Sequence, residues 1–271
     1  MKFTVFGGAG FIGSALVEAL RLSGHAVFAP ARYSVQLPAT QLGHVIYAAG
    51  VTADFRERPF DTLEANTCLV ADILRDADFD TFLYLSSARV YRRSDGSSES
   101  SGITLNPEDP EDLYDFSKLV AEAICHASGR SGVRVVRLTN VVGQDFGSRN
   151  FLADLIRSAC EHGEIMLRTD LDSGKDYVLL DDVLRLLPRI AVDGKQSCYN
   201  LGSGENLSNR DVAAQISAAT GARVDVVEGA PRIAWPRVDI SRLQVEFDYH
   251  PTPVLPALLE LINEFRKSHD A

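Results

Sequence analysis

The sequence lacks several features that would place it among extracellular, membrane or nucleic-acid-binding proteins. Its 271 residues include only four cysteines, none in a C-x-x-C pair, so we predict neither a disulfide framework nor a metal site. No apolar run reaches the ~18 residues of a membrane-spanning helix, and no basic segment with an apolar stretch opens the chain. We therefore expect a cytoplasmic protein. The formal net charge of −10 argues against a broad surface for nucleic acid or anionic lipid.

Lysine is also scarce, with five in the chain, yet Lys118 follows Tyr114 by four residues. The stretch 113–128 has helical periodicity, and positions four apart on a helix share a face, so we expect the phenol and the ammonium to be neighbours. A nearby cation lowers the pKa of a phenol, which can then act as a general acid or base. The spacing also fits an ordinary surface pair, so the argument for chemistry depends on a cofactor nearby.

A glycine-rich stretch near the start of the chain predicts that cofactor. Gly7, Gly10 and Gly13 stand between a short β-type run at 2–6 and a helical pattern at 11–24. Glycine permits a sharp turn, close approach of a pyrophosphate, and tight packing of helix on sheet. The helix N-terminus offers unpaired N–H groups to the phosphates. A motif in this position predicts dinucleotide binding rather than a mere tight turn.

The next predicted strand, 25–32, is expected to end near the adenosine ribose. An acidic residue there would bind both ribose hydroxyls of NAD, but the chain has Pro30, Ala31 and Arg32. A guanidinium can pair with a 2′-phosphate, so we favour NADP(H), with NAD(H) as the alternative. The other interpretation of Arg32 is a solvated loop arginine.

Strands and helices are predicted to alternate along the chain. The further strand candidates are 44–50, 81–87 and 133–139, and the helical candidates are 61–76, 113–128 and 150–161. This order predicts an α/β fold with a doubly wound, mostly parallel Rossmann sheet. Such sheets bind ligands at the carboxyl ends of their strands.

The alternating pattern weakens after residue 145, where short loops multiply. We predict a dinucleotide-binding domain over 1–145 and a smaller α/β substrate-binding lobe over 146–271, some elements of which return to the first domain. The stretch 92–102 (RRSDGSSESSG) is rich in serine and glycine, and we predict a mobile loop beside the site.

Several motifs, in order along the chain, resemble those of the extended short-chain dehydrogenase/reductase family of NAD(P)-dependent nucleotide-sugar epimerases, dehydratases and reductases. GGAGFIG resembles the cofactor loop, VIYAAG the fourth-strand segment, LSSARVY the strand with a catalytic Ser or Thr, and YDFSK the Y-x-x-x-K motif. RLTNVVG, KDYVLLDDV and YNLGSGENLSNRDVA resemble segments of the substrate half. The resemblance covers essentially the whole chain and implies the same Rossmann fold.

The resemblance also implies roles for individual side chains. Tyr114 would be the proton donor or acceptor, Lys118 would lower its pKa and bind the nicotinamide ribose, and Ser87 would hydrogen-bond the reacting oxygen. Ser87 has an alternative role as a strand-end hydroxyl that caps the next turn. Asn66 would brace the cofactor region, or be a buried amide satisfied by backbone. The other expected cofactor contacts are Gly7, Gly10, Phe11, Ile12, Gly13, Arg32, Ala48, Ala49, Gly50 and Leu85.

Because the protein is acidic overall, an anionic nucleotide sugar has to be attracted by particular residues. Asn150 and Phe151 open a predicted helix whose N–H groups can face a phosphate. Each basic candidate is also interpretable as a solvated surface cation. The expected substrate contacts are Ser87, Arg89, Asn140, Asn150, Phe151, Lys175 and Arg232.

The reaction is narrowed by what the chain lacks relative to the family. Dehydratases of the family carry acidic residues directly after the catalytic Ser or Thr, where this chain has Ala88 and Arg89. Few residues separate the strands at 25–32 and 44–50, where the family inserts a helix–strand unit that helps to enclose the adenine. A loosely held cofactor and Arg32 favour an NADPH-using 4-keto reductase over a 4-epimerase that holds NAD tightly.

A different class of protein keeps this fold but acts as a redox-sensing regulator without turnover. Such proteins typically lose the Tyr/Lys pair, which is present here, so we favour an enzyme. The resemblance also implies a homodimer formed through two helices per subunit, one of them bearing Tyr114. The apolar stretch LVAEAICHA permits such an interface.

Overall fold

The fold is built around a six-stranded parallel β-sheet. The computed structural model describes residues 1–31, 41–146 and 150–269. The strands of this sheet are β1 (Lys2–Phe6), β2 (Ala26–Phe28), β3 (His44–Tyr47), β4 (Thr81–Ser87), β5 (Val133–Leu138) and β9 (Cys198–Leu201). They lie in the order β2-β1-β3-β4-β5-β9, and every adjacent pair is parallel. The predicted Rossmann-type α/β fold is confirmed.

Helices cover both faces of this sheet. The α-helices in the described ranges are α1 (Phe11–Leu22), α2 (Pro59–Leu63), α3 (Leu69–Asp76), α4 (Leu113–Ala127), α5 (Phe151–His162), α6 (Leu180–Asp193), α7 (Asn209–Thr220), α8 (Ser241–Phe247) and α9 (Val254–His269). Side chains alternate along a strand, so Leu83 and Leu85 pack with α1 and α6, whereas Phe82 and Tyr84 pack with α3 and α4. Burial on both faces explains the continuous apolar run from Phe82 to Leu85 in β4.

A smaller group of elements comes mainly from the second half of the chain. Its strands are β6 (Asn140–Val142), β7 (Glu164–Leu167), β8 (Gly174–Leu179), β10 (Asn206–Ser208) and β11 (Arg223–Val226). They form a three-stranded sheet in the order β10-β8-β6 and a separate β11-β7 pair. Residues of α5, α7 and α9 share a second apolar core with them, whereas α6 and β9 return to the large sheet. The boundary at residue 145 stays a prediction.

Strand β2 ends the row of described strands at one edge of the large sheet. It has three residues, shorter than the predicted 25–32, and β3 begins at His44. The chain between these strands is therefore short, as the sequence indicated. Arg32, on which the NADP(H) prediction depends, lies outside the described residues. Across the ranges that are described, no helix has the length and apolar character required to cross a membrane.

The serine- and glycine-rich segment 92–102 is held by contacts with distant parts of the chain. The hydroxyl of Ser97 donates to the backbone carbonyl of Arg237. A carboxylate oxygen of Glu99 accepts a hydrogen bond from the Asn200 N–H at 2.9 Å. These partners are more than a hundred residues away in sequence, so composition alone could not reveal them. The expectation of a loosely attached loop does not agree with these contacts.

Candidate active site

The glycine-rich loop forms a narrow turn between β1 and α1. Gly7 has a φ of +81°, and a Cβ there would lie 2.5 Å from the backbone N of Ala49. A Cβ on Gly13 would lie 2.1 Å from the carbonyl oxygen of Gly7. The N–H of Gly10 donates to the same carbonyl at 2.9 Å, and Gly10 is the N-cap of α1. Only glycine fits these close approaches, and the turn leads directly into a helix N-terminus, an arrangement that suits a pyrophosphate.

The other predicted cofactor residues lie along the same edge of the sheet. Phe11 and Ile12 form the first turn of α1. Ala48 and Ala49 directly follow β3, and Leu85 lies near the end of β4. The carboxyl ends of β1, β3 and β4 are adjacent in this sheet, so these residues share one side of the molecule with the glycine-rich loop.

The predicted helix at 61–76 contains a π-helical turn, Glu64–Cys68, between α2 and α3. Asn66 lies in this turn and is fully buried. Its Oδ1 accepts from the Val51 N–H at 3.1 Å, and its Nδ2 donates to the Ser117 hydroxyl at 2.9 Å. Asn66 is therefore satisfied partly by backbone, and it also joins the loop after β3 to α4. The role of Asn66 in bracing a cofactor region stays a prediction.

Lys118 is buried between α4 and the ends of β3 and β4. Its Nζ donates to the carbonyl oxygen of Leu85 at 3.0 Å and lies 5.8 Å from the centroid of the Tyr114 ring. A Cβ on Gly50 would lie 3.4 Å from the same Nζ, so the lysine reaches the loop after β3. Burial lowers the pKa of Lys118 to about 8, although the charge of Glu122 opposes this.

Tyr114 is the neighbour of Lys118 on α4, as the four-residue spacing predicts. Burial raises the pKa of Tyr114 to about 12, while a hydrogen bond with Ser87 acts in the opposite direction. Burial is the largest cause of this shift and Lys118 makes no contribution to it, so the expected lowering of this pKa by Lys118 is not observed. Ser87 ends β4 and its hydroxyl also accepts from the Arg89 N–H at 3.2 Å. This hydroxyl thus both caps the following turn and contacts the phenol.

Ser87, Arg89 and Tyr114 line a cavity of about 350 Å³, a volume in the range of small-molecule sites. Residues from both the large sheet and the smaller group of elements surround it. Among the predicted substrate contacts, Asn140, Asn150 and Lys175 also line this cavity. The structure therefore brings most of these residues together beside the predicted catalytic pair.

The predicted substrate residues Asn140, Asn150 and Lys175 also contact other parts of the chain. Asn140 donates through Nδ2 to a backbone carbonyl of β8 at 2.8 Å. Asn150 is the N-cap of α5 and accepts a hydrogen bond through its side-chain oxygen. The Nζ of Lys175 lies 5.2 Å from the centroid of the Phe151 ring. Phe151 therefore supports a cation that faces the cavity.

Arg232 is not brought to this cavity. It is exposed, and its charge acts on Asp172, whose pKa is lowered mainly by Arg210. Arg237, the other arginine of this segment, lines a second cavity of about 760 Å³. That larger cavity is lined by residues of 203–207, 237–244 and 251–256, away from the predicted catalytic residues.

Several residues that line the smaller cavity were not predicted. Thr52, Phe55 and Arg56 come from the loop after β3, and Asn206 and Trp235 come from the second half of the chain. Trp235 is the only tryptophan of the sequence, and this rarity was the one feature that could have marked it as a candidate site residue. Their convergence depends on packing between segments that are distant along the chain, so no local pattern announces it.

A buried ion pair lies beneath the site. Arg137 in β5 donates through Nη2 to Glu122 in α4 at 2.6 Å, and the two side chains are 7% and 4% exposed. The hydroxyl of Ser86 donates to the same carboxylate, and Arg137 Nη1 donates to the Tyr91 hydroxyl oxygen at 2.7 Å. These hydrogen bonds join α4, β4, β5 and the turn that carries Tyr91. They fix the helix of Tyr114 and Lys118 against the sheet.

A parallel sheet with a glycine-rich first turn, and with Ser, Tyr and Lys at its carboxyl edge, defines a dinucleotide-binding protein of the Rossmann class. A family model described as the NAD dependent epimerase/dehydratase family matches residues 3–202. The chain belongs to this family, and the resemblance inferred from its motifs is confirmed.

Relatives and solved structures agree with this assignment. UDP-glucuronic acid decarboxylase 1 of Xenopus tropicalis is 23% identical over 98% of this chain and 72% of the relative. The structure of MoeE5 with UDP-glucose and NAD matches with a TM-score of 0.82 and 24% identity over 99% of both chains. The structure of RMD from Pseudomonas aeruginosa with NADPH matches with a TM-score of 0.81 and 22% identity over 98% of this chain and 100% of that one. These two structural matches show the shared fold.

Proposed function

We propose that this protein is an NAD(P)-dependent oxidoreductase that acts on a nucleotide-activated sugar and reduces a 4-keto group, with Tyr114 as the proton donor. The observation that carries the proposal is the convergence of Ser87, Tyr114 and Lys118 beside the glycine-rich loop. Rossmann folds bind their ligands at this edge of the sheet. The matched proteins include a UDP-glucuronic acid decarboxylase and a structure solved with UDP-glucose. Both support a nucleotide sugar as the substrate class.

The residues present fit a dinucleotide. Gly7 and Gly13 permit close backbone contacts that any side chain would prevent, which keeps the turn narrow, and α1 presents its N-terminus to the same region. When bound, the nicotinamide would supply the hydride. Lys118 lies close enough to the loop after β3 to bind a ribose hydroxyl, and Asn66 holds that loop through the Val51 N–H.

Ser87 and Tyr114 would act on the substrate oxygen. With its pKa raised to about 12, the phenol of Tyr114 carries its proton at neutral pH. A ketone that accepts hydride becomes an alkoxide and requires a proton from such a donor. The Ser87 hydroxyl, which contacts the phenol, would stabilise the same oxygen.

A 4-epimerase, which oxidises and re-reduces its substrate with one tightly held NAD, is the second candidate. The description of the family includes epimerases, and the same three residues serve hydride transfer in both directions. The short connection between β2 and β3 supports a more exchangeable cofactor and hence the reductase. We do not propose dehydration, because Ala88 and Arg89 supply no carboxylic acid next to Ser87. Elimination of water requires such a proton carrier.

The choice of cofactor belongs to the same proposal. Ala29, Pro30 and Ala31 follow β2. None of them has a carboxylate that could bind the ribose hydroxyls of NAD. This composition favours NADP(H), whereas the description of the family favours NAD(H). Comparing the KM values of NADPH and NADH with one substrate distinguishes the two.

The experiment is to supply dTDP-4-keto-6-deoxyglucose and its UDP counterpart with NADPH or NADH, and to follow loss of the reduced nicotinamide by absorbance. Tyr114→Phe should lower kcat by a factor of ~10²–10⁴, while NADP still raises the melting temperature of the variant. Tyr47→Phe removes a phenol in the core and is the matched control, with normal kcat expected.

Two outcomes would redirect the proposal. Stoichiometric NAD in the purified protein, with no oxidation of NADPH on any 4-keto nucleotide sugar, would favour the epimerase. Binding of NAD(P) without turnover of any nucleotide sugar, and with Tyr114→Phe indistinguishable from the wild type, would favour a non-catalytic regulatory protein.

We also propose a cytoplasmic homodimer that forms through α2 and α4. Phe60, Leu63 and Val120 on these helices are 86%, 45% and 45% exposed, and large apolar side chains exposed together suit an interface. All four cysteines are free, as a reducing compartment requires. Light scattering should show a dimer that Phe60→Glu combined with Val120→Glu converts to a monomer. Val245→Glu, at an exposed position of α8, should leave the dimer intact.

A further inference from the structure

The cavity beside Ser87 and Tyr114 presents hydrogen-bond donors that the described chain does not satisfy. Arg89 Nη1 and Trp235 Nε1 belong to residues that line this cavity, and both atoms are buried without a hydrogen-bond partner among the described residues. Both atoms can only donate. Buried polar groups are rarely left without a partner in native proteins. The cavity is therefore suited to a ligand that is rich in acceptors.

Arg89 is held by its neighbours without being satisfied by them. Its Nη2 donates to the carbonyl oxygen of Glu111 at 3.0 Å, and its Nη1 lies 3.3 Å from Asp115 Oδ2 without forming a hydrogen bond. The Cζ atom lies 5.2 Å from the centroid of the Phe55 ring and 5.5 Å from that of the Tyr114 ring. Glu111 Oε2 also lies 3.5 Å from Nη2, so the guanidinium is fixed next to the proposed proton donor by two carboxylates, while Nη1 forms no hydrogen bond.

A second cation faces the same cavity. Lys175 packs on Phe151 and forms no ion pair with an acidic residue of the described chain. Burial, and then the charge of Arg89, lower the pKa of Lys175, so the two cations repel each other. The acidic lining residue is Asp176, which already accepts two backbone N–H hydrogen bonds at 2.8 Å each. An anionic ligand would relieve this repulsion.

We propose that Arg89 binds a carboxylate on the sugar ring of the substrate, so that the protein acts on a nucleotide uronate in preference to a neutral nucleotide sugar. The inference rests on the proposed function. Arg89 lies beside Ser87 and Tyr114, where the reacting sugar carbon must lie, whereas Lys175 is left for the diphosphate. A guanidinium can donate two parallel hydrogen bonds to a carboxylate. A neutral hydroxymethyl group in the same place offers no charge to the guanidinium.

The test uses two ligands that differ in this group alone. UDP-glucose and UDP-glucuronate are titrated calorimetrically into the full-length protein saturated with NADP or NAD, and the dTDP-linked pair is measured in parallel because the base is unassigned. We expect the wild type to bind the uronate at least ~10-fold more tightly, as a charge-assisted hydrogen bond provides. Arg89→Gln should remove this preference by weakening binding of the uronate alone.

Matched variants separate charge from position. Arg93→Gln removes a neighbouring cation that pairs with Asp109 and Asp112 outside the cavity, so the preference should remain. Arg89→Lys keeps the charge but loses the paired geometry, and should retain part of the preference. Binding of the dinucleotide by Arg89→Gln would show that this variant is folded. If the variant does not fold, the wild-type affinities for the uronate and the neutral sugar still test the inference.

The possible failures are distinguishable. Equal affinity of the wild type for the neutral sugar and the uronate would overturn the inference and leave the proposed function standing. Equal weakening of both ligands by Arg89→Gln would also overturn it, because Arg89 would then contact the diphosphate. Absence of binding to every nucleotide sugar would contradict the proposed function itself, and the inference with it.

Discussion

Replacing Lys118 with methionine is expected to stabilise the protein while abolishing turnover. Lys118 is 4% exposed, and burial lowers its pKa from an ordinary 10.5 to about 8. That difference, at ~1.36 kcal/mol per pH unit, makes the charged form of Lys118 unfavourable in the folded state by about 3 kcal/mol at neutral pH. Methionine fills similar space without a charge but loses the hydrogen bond to the Leu85 carbonyl, which is worth about 1 kcal/mol. The net expected gain is about 2 kcal/mol.

Urea unfolding of the wild type and Lys118→Met over a range of pH measures this effect. Because the folded pKa of the lysine is depressed, the unfolded state binds more protons between pH about 8 and about 10.5, and wild-type stability rises across that window. The advantage of the variant should therefore be largest at neutral pH and disappear as the pH rises. Lys267→Met, on the exposed side of α9, should change stability by less than ~0.5 kcal/mol. A lower urea midpoint for Lys118→Met at neutral pH would refute the reasoning.

Three further predictions concern the loop, the buried ion pair and the carboxylate beside the phenol. Gly13→Ala should abolish the rise in melting temperature with NAD or NADP, because its Cβ would lie 2.1 Å from a backbone oxygen, whereas Gly102→Ala, which has open space, should not. Glu122→Gln leaves the buried Arg137 without a counter-charge and should lower the free energy of unfolding by ~3–5 kcal/mol in urea titrations. Burial raises the pKa of Asp115 from 3.8 to about 6, so wild-type stability should fall relative to Asp115→Asn, by at most ~3 kcal/mol, as the pH rises from about 4 to about 6. Parallel pH profiles of those two proteins would contradict the assignment.

The glycine-rich loop and the Tyr114–Lys118 pair were predictable because their geometry is local. The close approach of Gly13 to the Gly7 carbonyl follows from a strand that turns directly into a helix. The four-residue spacing places the phenol and the lysine on one face of α4 whatever surrounds them. Alternation of buried strands and helices likewise fixed the fold class, and the family match confirms that assignment.

The electrostatics of the site and its outer wall were not predictable in the same way. Spacing shows that Tyr114 and Lys118 are neighbours, but the raised pKa of the phenol depends on burial by other segments. The π-helical turn at Glu64–Cys68 buries two polar residues, Asn66 and Thr67, and no local sequence pattern distinguishes it from an ordinary helical turn. Trp235 and Arg56 reach the cavity through packing between distant segments, which no short motif encodes.

The buried ion pair of Glu122 and Arg137 makes one side of the site rigid. These hydrogen bonds hold α4, β4 and β5 together as one unit. A shift of any of the three would expose a buried charge. The segments around Thr52–Arg56 and Trp235 line the cavity but take no part in these hydrogen bonds, so we expect any movement that admits a ligand to occur there. We therefore expect substitutions in those segments to alter which ligand is accepted while Ser87, Tyr114 and Lys118 keep their places.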